Sequence, residues 1–63
     1  MLAVYAPAAD VSAAVAASAA AGAVLAVAAV NGPAHTVVSG AAADVSALGE
    51  AFALRGVRVK ALA

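Results

Sequence analysis

A five-residue segment that occurs twice, 34 positions apart, most constrains how this 63-residue chain can fold. Ala-Asp-Val-Ser-Ala occupies residues 9–13 and again residues 43–47. An alanine-rich run, a glycine (Gly22 or Gly56) and a valine-rich run follow each copy. The chain therefore consists of two related halves, and each half is expected to form the same supersecondary unit.

The two halves are predicted to meet at a turn over residues 31–34. Asn31-Gly32-Pro33-Ala34 is rich in turn residues, and Pro33 cannot donate a ladder hydrogen bond. We therefore expect one domain, residues 1–63, with repeats 1–31 and 35–63. Helical repeat arrays share this repeat length, but they need three or more copies to bury a core.

Each half carries the pattern of a strand, a helix and a second strand. In the second half, Val45, Leu48 and Phe52 are spaced i, i+3 and i+7, which predicts one apolar helix face. The residues after Gly56 alternate between apolar and mostly charged side chains, which is typical of a half-buried strand. Further strands are predicted at residues 2–5, 24–30 and 36–38 because these runs contain β-branched or aromatic residues.

The predicted helices have matching start and stop signals. Asp10 and Asp44 lie near the two starts, where a carboxylate interacts favourably with the exposed amides and the helix dipole. Gly22 and Gly56 lie at the two ends, where glycine adopts the left-handed closing conformation without strain.

The resulting order is strand, helix, strand, turn, strand, helix, strand. This order predicts an α+β, ferredoxin-like βαββαβ fold, with two helices on one face of a four-stranded antiparallel sheet. The repeat then becomes the pseudo-two-fold symmetry of the fold.

Composition excludes several function classes. The chain has no cysteine and one histidine, so neither a disulfide nor a structural metal site is expected. Three basic and three acidic residues balance, which disfavours a nucleic-acid partner. An RNA-binding sheet of this fold needs an aromatic pair on its central strands, and we expect none here.

A membrane segment is the first alternative. Residues 11–30 carry no charge and are long enough to cross a bilayer as a helix, although Leu25 is their only strong hydrophobe of the leucine type. Neither end has a lysine, arginine or aromatic anchor, and nothing positive precedes the apolar region as in a signal peptide. We therefore expect a cytoplasmic protein with no membrane partner.

His35 and Ser39 are the only candidate base and nucleophile. On one strand, a separation of four residues places them about 13 Å apart, too far for a hydrogen bond. Arg55, Arg58 and Lys60 form a small basic cluster, which is expected to balance a helix end and a solvated strand face. A contact with a phosphate or an acidic partner is the alternative for this cluster.

Three blocks in order resemble the acyltransferase domain of modular polyketide synthases, within the malonyl-CoA:acyl-carrier-protein transacylase family. The blocks are Val27-Ala28-Ala29-Val30-Asn31-Gly32-Pro33, Thr36-Val37-Val38-Ser39-Gly40 and Ala53-Leu54-Arg55-Gly56-Val57-Arg58-Val59. The resemblance is to the small ferredoxin-like subdomain of that family and runs over essentially the whole chain.

The resemblance implies a supporting role in acyl transfer. In that family a serine on a large α/β-hydrolase-like subdomain, assisted by a histidine, moves a malonyl-type acyl group from CoA to the phosphopantetheine thiol of an acyl carrier protein. Both motifs are missing from this chain, so it is not expected to catalyse the reaction alone. The family motif nearest the cleft matches Asn31-Gly32-Pro33, and Asn31 is therefore the one candidate site residue, as a positioning residue.

The resemblance also fixes the expected partners and cofactors. The partners are the large subdomain and, through it, the acyl carrier protein, while this segment binds no cofactor itself. The alternative is a free-standing ferredoxin-like module for interaction or ligand sensing, or an excised or engineered scaffold without activity.

Overall fold

A computed structural model describes residues 1–62 of the chain. Two helices and four strands follow in the predicted order: β1 (Leu2–Val4), α1 (Ala8–Ala20), β2 (Leu25–Gly32), β3 (His35–Gly40), α2 (Ala42–Leu54) and β4 (Val59–Ala61). The sheet is antiparallel, with strand order β2-β3-β1-β4. The predicted α+β fold is confirmed, and its topology is consistent with a ferredoxin-like domain.

The internal repeat is visible in the register of the two central strands. Leu2 pairs with Val38, Ala3 with Val37 and Val4 with Thr36. Each β3 residue of this set lies 34 positions after its β1 equivalent, so the Ala3–Val37 pair maps onto itself. The pseudo-two-fold axis of the domain therefore passes through this pair.

The core lies between the helices and one face of the sheet. Its buried residues come from β1, α1, β3, α2 and the residue Ala6: Leu2, Val4, Ala6, Val11, Val38, Val45, Leu48 and Phe52. Phe52, the only phenylalanine, is 1% exposed and is the largest fully buried side chain. The buried Thr36 hydroxyl donates a hydrogen bond to the Ala6 carbonyl at 3.2 Å.

Both helices end as predicted, in the same six-residue motif. The Ala23 N–H donates to the Ser18 carbonyl, and the Val57 N–H donates to the Phe52 carbonyl, both at 3.0 Å. Gly22 and Gly56 provide the positive φ that this closure requires, at 98° and 80°.

The strand boundaries differ from the sequence-based prediction, most clearly in β2 and β4. β2 extends to Gly32, so the turn narrows from residues 31–34 to Pro33 and Ala34, because Gly32 still pairs with His35. β4 covers three residues rather than residues 57–63, although hydrogen bonds from the Tyr5 N–H to Arg58 and from the Leu62 N–H to Met1 continue its pairing with β1. Ala63 lies outside the described residues.

A polar clamp joins the start of α2 to the residue before β2. The Val24 N–H donates to Asp44 Oδ2 at 2.9 Å, and the Val24 carbonyl accepts from the Ala41 N–H at 3.0 Å. In the first half, Pro7 stands where Ala41 stands in the second. Proline has no N–H to donate, so the first half cannot repeat both bonds.

Within residues 1–62, neither helix meets the length and hydropathy needed to cross a bilayer. Each helix has 13 residues.

Gly40→Ala is predicted to lower the free energy of unfolding by about 3 kcal/mol or more. A Cβ at Gly40 would lie 2.0 Å from the Val24 carbonyl oxygen, inside the clamp. Urea denaturation followed by circular dichroism measures the cost. Gly56→Ala is the control, since its Cβ meets nothing within 4 Å and only the left-handed backbone costs about 1–2 kcal/mol. Equal costs for the two variants would refute the close approach.

Asp44→Ala is predicted to destabilise the domain by about 1 kcal/mol more than Asp10→Ala. The two aspartates occupy equivalent positions in the first turns of their helices and share the favourable dipole interaction, but only Asp44 accepts the Val24 N–H. Thermal denaturation of both variants measures the difference. Identical losses would show that the clamp contributes nothing to stability.

Candidate functional site

The face of the sheet opposite the helices has no covering layer within residues 1–62. Leu2 and Val4 belong to the core, so the intervening Ala3 points to the other face. Its partners Val37 and Lys60 share that face because directly paired residues project to the same side. We term this surface the bare face. Ala3 and Val37 at its centre are almost fully buried, whereas Lys60 on the edge strand β4 is exposed, so the part that a ligand or partner can reach lies toward the margins of the face.

Charge is divided unevenly between the two sides of the sheet. All three acidic side chains, Asp10, Asp44 and Glu50, belong to the helices. Arg58 and Lys60 alternate with the core-facing Val59 and project from the β4 side of the bare face. The bare face therefore carries positive side chains and no carboxylate side chain.

Three planar groups form a row across one end of the bare face. The Arg58 guanidinium carbon lies 5.2 Å from the centroid of the Tyr5 ring, and the Tyr5 and His35 rings stack at 4.9 Å with 18° between their planes. Because β1 lies between β4 and β3, Tyr5 lies between the other two groups. We call Arg58, Tyr5 and His35 the planar row.

The planar row corrects one expectation from the sequence. Tyr5 directly follows β1 and His35 begins β3, so the central strands do bring two stacked aromatic rings together. His35 is half-buried in this stack. The register explains the meeting, since continuing the Val4–Thr36 and Val4–Val59 pairs by one residue brings Tyr5 beside His35 and Arg58.

Asn31 lies near the same end of the sheet, in the edge strand β2. Val30 pairs with Thr36 and Gly32 pairs with His35, which leaves Asn31 as an extra residue in β2. Such an extra residue bends a strand and redirects a side chain, and it is common both at sheet edges and beside active sites. Asn31 is exposed. The next residue, Gly32, pairs with His35, which belongs to the planar row.

The remaining candidate residues are separated. His35 and Ser39 both lie on β3, four residues apart, and Ser39 pairs with Ala26. They do not form a nucleophile and base pair. The predicted basic cluster is also divided between two surfaces. Arg55 closes α2 with its guanidinium carbon 5.0 Å from the ring centroid of the core residue Phe52, whereas Arg58 and Lys60 project from the bare face.

A groove of about 530 Å³ lies on the helix side, between α2 and strands β1 and β4. Gly49, Val59 and Ala61 line it, together with Leu2 and Val45. In the first half, the positions equivalent to Gly49, Val59 and Ala61 are occupied by Val15, Leu25 and Val27. The smaller side chains of Gly49 and Ala61 account for this apolar space. Glu50 is the charged residue that lines it.

No cluster of three or more metal-ligating side chains occurs in the part of the chain that the structure describes. In the same part, every buried side-chain nitrogen or oxygen has a hydrogen-bond partner.

Comparison with known proteins identifies no relative. No protein-family model matches this chain, and neither the curated proteins nor the solved structures include a match.

A double-mutant cycle on Tyr5→Leu and His35→Ala is predicted to give a coupling of about 0.5–1.5 kcal/mol, because the stacked rings interact beyond their burial. Urea denaturation of the parent, both single variants and the double variant supplies the four free energies. Additive losses would mean that the two rings do not interact.

Proposed function

We propose that this chain is the small subdomain of a polyketide synthase-type acyltransferase. In this proposal it forms one wall of the cleft in which a malonyl-type group passes from CoA to the phosphopantetheine thiol of a carrier protein in the cytoplasm. The nucleophilic serine and its histidine belong to the large α/β-hydrolase-like subdomain. The observation that carries the proposal is the position of Asn31, which is exposed and is one of two extra residues in β2, inside the block that resembles the family motif.

The fold supports the proposal because two of the blocks that resemble the acyltransferase family form one β-hairpin. Residues 27–33 form most of β2 and its turn, and residues 36–40 form the paired strand β3. The extra residue interrupts the ladder at Asn31 only one position before Gly32. A carboxamide offers both donors and an acceptor, which suits the amide and thioester groups of a pantetheine arm.

A second subdomain needs a surface on which to pack. The groove beside α2 offers Leu2, Val45 and Val59 on the side of the sheet opposite the planar row. Apolar burial drives association between subdomains as it drives folding. The proposal assigns the large subdomain to this side and leaves the hairpin end facing the cleft.

The bare face favours a second candidate, a free-standing module for ligand sensing or self-association. The planar row is already formed and is not covered within residues 1–62. Sedimentation of the chain separates the candidates, because a stable module remains folded and gives a defined monomer or dimer over a wide concentration range.

Asn31→Ala is predicted to lower kcat/KM for acyl transfer about tenfold in a chimera that carries residues 1–62 in place of the native small subdomain of such an acyltransferase. The lost carboxamide no longer orients the pantetheine arm, so the effect falls on carrier-protein KM more than on thermal stability. Ser12→Ala, an exposed change on α1, is the matched control.

Two results would contradict this function. One is a folded chimera with no transfer from malonyl-CoA while the same graft junctions retain activity with the native subdomain. The other is a malonyl mass gain on the 63-residue chain alone, which would place a nucleophile within these residues.

A further inference from the structure

The planar row ends in a gap that is one residue wide. His35 stacks on Tyr5 with one ring face, and its partner on β2 is Gly32, which has no side chain to cover the other face. A Cβ built at Gly32 lies 3.8 Å from the His35 Cβ, which is ordinary contact. The position next to the imidazole can therefore hold a side chain, and in this chain glycine leaves it open.

Positive charge lies at the opposite end of the row. Arg58 covers the other side of Tyr5, and Lys60 follows it on the same face of β4. The three acidic side chains all belong to the helices, so within residues 1–62 no acidic side chain shares the bare face with these two cations. An anion over β4 therefore gains attraction from both groups without displacing an ion pair.

We propose that the bare face binds a nucleoside diphosphate. The purine ring stacks on His35 in the gap above Gly32, and the diphosphate reaches Arg58 and Lys60. Three strand spacings separate β2 from β4, a span of about 14 Å, which suits an extended diphosphate better than a monophosphate. Arginine pairs with phosphate through its forked donors, and lysine adds a point charge.

The same features favour a small nucleotide over a nucleic-acid strand. Binding of single strands needs a run of cations that follows the backbone and several stacking surfaces for successive bases. The bare face offers two cationic side chains and one uncovered aromatic face, because Tyr5 lies between Arg58 and His35. That inventory matches one base and one diphosphate. The inference rests on the planar row and holds whether or not the acyltransferase proposal does.

Titration with ADP, monitored by proton NMR at fixed pH, tests the proposal directly. The chain has one histidine and one tyrosine, so their ring signals are identified without ambiguity. We expect the His35 ring protons to move upfield as the purine stacks, with saturation at sub-millimolar to millimolar ADP. AMP, adenosine and inorganic pyrophosphate are each expected to bind more weakly than ADP.

Matched variants assign the two ends of the site. Arg58→Ala is expected to weaken ADP binding about tenfold. Arg55→Ala is the control, because Arg55 also lies over an aromatic ring, and it is expected to leave ADP binding unchanged. Gly32→Val fills the gap and is expected to abolish the upfield shift of His35 while the thermal midpoint is retained, because Gly32 has no positive φ.

Three outcomes would overturn the proposal. The first is that the His35 signals remain unchanged at saturating millimolar ADP in a folded sample. Arg55→Ala weakens binding as much as Arg58→Ala, which would indicate unspecific charge attraction. A short oligo-deoxyadenosine strand binds more tightly per nucleotide than ADP, which would assign the bare face to single-stranded nucleic acid instead.

Discussion

The antiparallel pairing of β1 with β3, in the register that places Ala3 opposite Val37, determines the rest of this structure. If β3 kept its place, a shift of β1 by one residue would move Leu2 and Val4 out of the core and onto the bare face. The same register makes the two halves equivalent about the Ala3–Val37 pair. Both helices therefore pack on one side of the sheet. Both helices also end in the same glycine motif.

The two halves differ where individual residues break the symmetry, and the candidate sites lie at these differences. Pro7 stands where the second half has Ala41, so the clamp forms once, between Val24 and the start of α2, and its pair of bonds is not repeated at the start of α1. Gly49 and Ala61 replace valines and contribute to the groove beside α2. An approximate repeat thus provides a scaffold, and a few substitutions within it create a clamp, a groove and a positively charged face.

The sequence predicted the features that depend on local patterns, and it missed those that depend on long-range register. Helix faces, helix-ending glycines and element order follow from residue spacing, and the structure confirms them. The meeting of Tyr5, His35 and Arg58 requires the alignment of three strands, which no single stretch of sequence contains. The Val24–Asp44 bond joins residues 20 positions apart and was missed for the same reason, while the role of Asn31 stays a prediction based on resemblance.

A nuclear Overhauser measurement on the unmodified chain tests the central register most directly. The only tyrosine and the only histidine must lie side by side if β1 and β3 pair as described, since their rings stack at 4.9 Å. We predict strong cross-peaks between the Tyr5 and His35 ring protons. A folded spectrum that lacks these cross-peaks, with the Tyr5 ring near core methyl groups instead, would contradict the register and the planar row together.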